Sequence, residues 1–127
     1  MMSLELDLPP EPEAAALARH ALKGFLESTD SEVTDDVCLL ADELVANSLR
    51  HSRFSTGDLI RLSAQIDADY VHVSVCDPGS EKRPVLREAT PDDTTGRGLF
   101  LIDAIAADWG VARAERTCVW FEVGIPA

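Results

Sequence analysis

Apolar residues in this chain recur at two different periods, and the change between them limits the folds open to it. From Thr34 to Ser52, Val37, Leu40, Ala41, Leu44 and Ser48 return at helical spacing. That spacing lines one face of an α-helix. From Asp58 to Cys76 the repeat falls to two. Leu59, Arg61, Ser63 and Gln65 alternate with the opposite face, and Val71, Val73 and Val75 do likewise. A period of two marks strands buried on one side. A helix with one apolar face and strands with one apolar face must cover each other. The predicted architecture is α+β: one mixed or antiparallel sheet covered on one face by three helices, in a single domain over residues 1–127.

The other elements follow from punctuation. Ser3–Leu8 alternates as a half-buried strand and stops at Pro9-Pro10. Glu11-Pro12-Glu13 opens a helix, with proline and acids suited to a first turn, and Leu17, Ala21, Leu22 and Phe25 form its apolar stripe. Thr34, followed by Asp35 and Asp36, reads as the N-cap of the second helix, which runs to about Ser52. Asp67-Ala68-Asp69 is a hairpin turn between the strands at 58–66 and 70–76. A third helix spans about Gly98 to Asp108, and two strands near Trp109–Ala114 and Thr117–Gly124 close the chain. Between Asp77 and Arg97 lies a connection of roughly 20 residues, a length that usually signals function or disorder.

Composition excludes several functions. The net charge of −12 opposes approach to nucleic acid and to anionic membranes. No apolar run nears the roughly 20 residues of a membrane span. The start, Met1-Met2-Ser3-Leu4-Glu5, lacks the basic and apolar regions of a secretory signal, so a cytoplasmic location is expected. The three cysteines Cys38, Cys76 and Cys118 form no C-x-x-C pair. Their odd count and apolar neighbours predict buried reduced thiols, with neither a disulfide framework nor a zinc site.

Three clusters carry chemistry. Glu43, Asn47 and His51 stand one turn apart on the wet side of the second helix. As an isolated feature this is an ordinary solvated face. A carboxylate and a carboxamide one turn apart can also hold Mg²⁺, which favours oxygen ligands and keeps several waters. Next, an apolar strand ends in Cys76-Asp77-Pro78-Gly79. This can be a plain Pro-Gly turn. An acid there can also accept from the exocyclic amine of a base, with Gly79 letting backbone come close. Last, Gly96-Arg97-Gly98-Leu99 precedes a helix. Free amides, a positive helix end and an arginine suit a phosphate. No Gly-Lys-Ser/Thr follows, so this is not a Walker loop. Lys82, Arg83 and Arg87 lie in the same connection, and Arg50 and Arg53 end the second helix, whereas the first 47 residues carry only Arg19 and Lys23 as bases.

The order Glu43-x-x-x-Asn47, Asp77-x-Gly79, Gly96-x-Gly98 resembles the GHKL ATPase superfamily. More narrowly it resembles the single-domain anti-sigma-factor serine kinases of actinobacterial type. Asp108-Trp109-Gly110-Val111 and the strand from Thr117 to Glu122 extend the similarity over nearly the whole chain. The resemblance implies a histidine-kinase-like ATPase fold, ATP and Mg²⁺ as ligands, and transfer of the γ-phosphate to a serine of a partner. It implies Glu43 as general base and Asn47 as the Mg²⁺ ligand. Asp77 would accept from the adenine amine, with Gly79 closing over the base and Thr117 supporting that site. Gly96, Arg97, Gly98 and Leu99 would wrap the phosphates in a mobile lid, and Arg50 and His51 would lie near them. Its partners would be a sigma factor and an anti-anti-sigma protein, and relatives often work as homodimers. One departure stands out: Ser80-Glu81 occupies the place of the family's second glycine. It leaves open a non-catalytic module of the same fold. A histidine-kinase fragment is disfavoured, because His20 sits on a short helix, His72 sits in a strand, and no long helical hairpin is present.

Overall fold

The computed structural model describes residues 1–79 and 97–127, with the backbone alone for 97–99. The described strands are β1 (Met2–Leu8), β2 (Ile60–Ile66), β3 (Tyr70–Asp77), β4 (Asp108–Arg113) and β5 (Thr117–Gly124). They form one antiparallel sheet in the order β1-β2-β3-β5-β4. The helices are α1 (Ala14–Phe25), α2 (Ser31–His51) and α3 (Arg97–Ile105). The predicted α+β sheet with helices on one face is the architecture found, and all its pairings are antiparallel.

Alternation on β3 sets the two faces. Val71, Val73, Val75 and Asp77 are buried, while His72, Ser74 and Cys76 are only half-buried. Ile60, Leu62 and Ala64 of β2 and Phe121 and Val123 of β5 join the buried set, against Val37, Leu40, Ala41, Leu44 and Val45 of α2. Each large apolar side chain removed from water there contributes about 1.5–3 kcal/mol. The β2–β3 hairpin closes as expected. The Asp67 carboxylate accepts from the amides of Asp69 (2.8 Å) and Tyr70 (2.9 Å). Those two donors hold its pKa below the ordinary value of 3.8.

Several boundaries differ from the sequence reading. Helix α2 begins before Thr34: Asp30 is its N-cap and accepts from the Glu32 amide at 2.8 Å. The added turn buries Val33, a further apolar contact that the Thr34 start would forfeit. The Thr34 hydroxyl instead donates to the carbonyls of Asp30 (3.3 Å) and Leu26 (3.4 Å). Helix α1 starts at Ala14, after Glu11-Pro12-Glu13, and buries Ala14, Ala18 and Leu22. Leu17, expected in its apolar stripe, is 45% exposed. Helix α1 packs against α2, and Arg19 of α1 pairs with Asp42 of α2 at 3.0 Å. Helix α3 ends at Ile105, and Asp108 opens β4 rather than ending the helix. The Ala107 amide donates to the Glu122 carbonyl at 2.8 Å, which draws the chain into the sheet.

The cysteine reading is corrected at two positions. Cys76 and Cys118, 42 positions apart, form a disulfide. Antiparallel register places them directly opposite on β3 and β5, a proximity that local spacing does not encode. Cys38 remains a buried thiol, its pKa pushed up by burial. No described helix is long and apolar enough to cross a membrane.

Candidate nucleotide site

The site begins at the last residue of β3. Asp77 is a buried carboxylate, 8% exposed, and a buried charge is tolerated only where donors surround it. Ser48 of α2 donates to Oδ2 at 2.6 Å, and Ser52 donates to Oδ1 at 3.0 Å. The Gly79 amide donates to Oδ1 at 2.7 Å and is also 2.9 Å from Ser52 Oγ. The Arg53 amide donates to the Gly79 carbonyl at 3.1 Å. The turn after β3 is therefore tied to the C-terminal end of α2 through side chain and backbone together. Among the described residues Oδ1 receives two donors and Oδ2 one, which leaves Oδ2 an acceptor position for a ligand N–H.

Gly79 is required for two local reasons. Its φ is +85°, in the left-handed region that favours glycine. A Cβ there would also lie 2.6 Å from Thr117 Oγ1. Thr117 is the register partner of Asp77 on β5. Asp77, Gly79 and Thr117 thus form one compact group at the sheet's end.

Helix α2 carries the second group. Glu43 and Asn47 are half-buried, one turn apart, on the helix whose Ser48 holds Asp77. The Glu43 carboxylate makes no hydrogen bond or ion pair with another described residue. Asn47 Oδ1 accepts from the Arg50 guanidinium at 2.9 Å. Arg50 and His51 are exposed in the last turn, where positive charge suits the helix dipole. Among the described residues no cluster of three or more His, Cys, Asp or Glu side chains could hold a metal. A lone carboxamide oxygen fits an ion such as Mg²⁺, which keeps waters and is completed by phosphates.

The third group is only partly described. Arg97, Gly98 and Leu99 form the first turn of α3, which lies against α2. Gly96 lies outside the described residues. So do Ser80, Glu81, Lys82, Arg83, Arg87 and the segment expected to be a mobile lid.

Sequence reasoning missed the roles of Ser48 and Ser52. Its spacing places Ser48 in the core-facing stripe, and it is 6% exposed. A hydroxyl at a core position must find a partner, and that signal was available. The identity of the partner, 29 positions away, was not.

The fold matches solved structures at low identity. Against the RsbU and RsbW domains of Rv1364c from Mycobacterium tuberculosis the TM-score is 0.75 at 20% identity, covering 100% of this chain. This chain spans only 34% of that one. The SiaB–SiaC complex from Pseudomonas aeruginosa gives 0.65 at 14% identity, covering 96% of this chain and 89% of the other. The histidine kinase AdeS of Acinetobacter baumannii gives 0.53 at 12%, covering 100% and 70%. No curated protein matches the chain. The family description "Histidine kinase-like ATPase domain" matches residues 8–123. Spanning β2 through β5, both described site groups and nearly all of the core, that match shows that the chain belongs to the histidine kinase-like ATPase domain family.

Proposed function

We propose that this domain binds ATP with its base against Asp77 and works as an anti-sigma-factor-like regulator. The observation that supports this most is the buried Asp77 carboxylate, oriented by Ser48, Ser52 and Gly79 with one acceptor position left on Oδ2. A fixed carboxylate accepts from the adenine amine and is poorly matched to the 6-oxo group of guanine. Thr117, beside Asp77, offers a hydroxyl to the same base.

The phosphates then run toward α2 and the first turn of α3. Asn47 would hold Mg²⁺, with Arg50 moving from Asn47 Oδ1 to the phosphates. The ion would supply charge neutralisation at the phosphate oxygens. Arg97, with Gly96, Gly98 and Leu99, would enclose the triphosphate from the other side, and His51 would approach it from the helix end.

Glu43 acts as general base. A partner's serine oxygen forms a bond to the γ-phosphorus as the bond to the ADP oxygen breaks, and the serine proton passes to the Glu43 carboxylate. Such a base is worth about 10²–10⁴ in rate, and positioning supplies much of the rest. The partner reading is a serine on an anti-anti-sigma protein, with a sigma factor as the sequestered target and a homodimer as the working unit. One structural neighbour was solved as a two-protein complex, SiaB–SiaC, which supports a protein partner.

A second reading, a nucleotide-binding or protein-interaction module without transfer, is favoured by Glu81 where the family carries glycine. Calorimetric titration with MgATP and MgGTP tests the first step, using wild type and Asp77→Asn. MgATP heat that Asp77→Asn abolishes supports the base assignment, and no heat at millimolar MgATP refutes it. Transfer of labelled γ-phosphate to a candidate anti-anti-sigma protein separates kinase from module.

A further inference from the structure

We propose that Cys76 and Cys118 form a redox-modification site that sets the order of the Asp77–Gly79 turn and, through it, the affinity for nucleotide. The affinity half of this inference rests on the ATP reading above; the ordering half does not.

Placement carries it. Cys76 precedes Asp77 and Cys118 follows Thr117, so the disulfide is the register step next to the Asp77–Thr117 pair. That pair is the last of the β3–β5 ladder, where strands fray most readily. The covalent bond pins the strand end that holds the carboxylate and the threonine. Because side chains alternate along a strand, the sulfurs point to the opposite face from Asp77 and Thr117. Cys76 and Cys118 are half-buried on the sheet face that the described helices leave open, the face that also carries the stacked His72 and Trp120. A small reagent can reach them there without entering the site on the helix side. The Arg116 guanidinium donates to the carbonyls of Cys76 (3.1 Å) and Leu59 (2.6 Å). This tie persists after reduction, so loosening stays local.

The reagent class is a low-molecular-weight thiol and its disulfide. A thiolate attacks one sulfur, the Cys76–Cys118 bond breaks, and the departing sulfur leaves as a thiolate that takes up a proton. A second thiol resolves the mixed disulfide. Two protein thiols and one small-molecule disulfide result, with two electrons passed to the protein. The reverse exchange restores the bond. In the oxidised chain Asp77 and Gly79 are preorganised, whereas in the reduced chain binding must first order them. Oxidised protein therefore binds MgATP more tightly, by about fivefold or more. By linkage, MgATP shifts the thiol–disulfide equilibrium toward the disulfide by the same factor.

The test equilibrates the chain with reduced or oxidised glutathione and verifies each state by alkylation and mass spectrometry. Amide hydrogen exchange at Asp77, Gly79 and Thr117, and MgATP titration, are then measured on both states. Reduction is expected to speed exchange there by about tenfold or more and to weaken MgATP binding as stated. The Cys76→Ser/Cys118→Ser variant is expected to match reduced wild type in either buffer. Equal exchange and equal affinity in both verified states overturn the proposal, as do free thiols at both Cys76 and Cys118 at every glutathione ratio. Exchange that responds while neither state binds MgATP upholds the redox site and removes the nucleotide reading instead.

Discussion

Ser48 Oγ lies 2.6 Å from Asp77 Oδ2, both side chains are buried, and 29 positions of sequence separate them. This bond joins the last turn of α2, the longest described helix, to the end of a central strand. It fixes the carboxylate and leaves it one acceptor position.

Ser48→Ala removes a donor from a buried charge without adding bulk. The expected loss of stability is about 1–3 kcal/mol, read as a lower urea midpoint with an unchanged slope. MgATP affinity falls with it. A variant with wild-type stability and affinity would show that Asp77 does not depend on this hydroxyl.

Gly79 and Gly57 form a matched pair for separating strain from collision. Both have positive φ, +85° and +87°, yet a Cβ on Gly57 meets nothing within 4 Å. Gly57→Ala therefore carries the backbone cost alone, about 1–2 kcal/mol. Gly79→Ala costs more, because Thr117 Oγ1 must move. Adding Thr117→Ala recovers the difference, so denaturation of the double variant returns a coupling energy that additive changes would lack.

Arg50 holds the oxygen that Asn47 would offer to Mg²⁺. Arg50 is exposed, so Arg50→Ala changes stability by no more than about 0.5 kcal/mol. It lowers the Mg²⁺ concentration at which ATP binding becomes half-maximal, at some loss of phosphate contact. Asn47→Ala abolishes the Mg²⁺ dependence. Titrations of Mg²⁺ at fixed ATP check both, and identical curves for wild type and Asn47→Ala would remove Asn47 from the metal site.

Glu43→Gln keeps the size and the half-buried position of the side chain but not its basicity. MgATP affinity stays within about twofold, and serine phosphorylation falls by about 10²–10⁴. Single-turnover transfer under saturating partner measures this. Equal transfer by the two proteins would exclude Glu43 as the base.

Asp67 supplies a pH signature at the β2–β3 hairpin. Its carboxyl is held below its ordinary value by the amides of Asp69 and Tyr70. The contribution is therefore full above about pH 4, the ordinary aspartate range, and is lost as pH falls through the lowered value. Wild type and Asp67→Ala are expected to differ in thermal midpoint at neutral pH and to converge in acid. A constant gap across that range would assign the effect to something other than the carboxylate.

Much was legible from local pattern alone. The core face of α2, the hairpin at Asp67, the strand that ends on Asp77 and the two closing strands all rest on periods of two or 3.6 and on nearby turn residues. Chain geometry imposes those periods within a few positions, so one sequence displays them. Even the departures were small where they were local, such as a cap at Asp30 rather than Thr34.

Tertiary structure decided what depends on partners. Which side of α1 is buried was set by its packing on α2 and β1, which covers Ala14, Ala18 and Leu22 and leaves Leu17 exposed. Whether Cys76 and Cys118 are two thiols or one disulfide was set by the β3–β5 register. That Ser48 and Ser52 hold Asp77 was set by how α2 crosses the sheet. In each case the interacting groups belong to different elements. Their meeting is a product of the packed core, and the periodicity of a single segment carries no record of it.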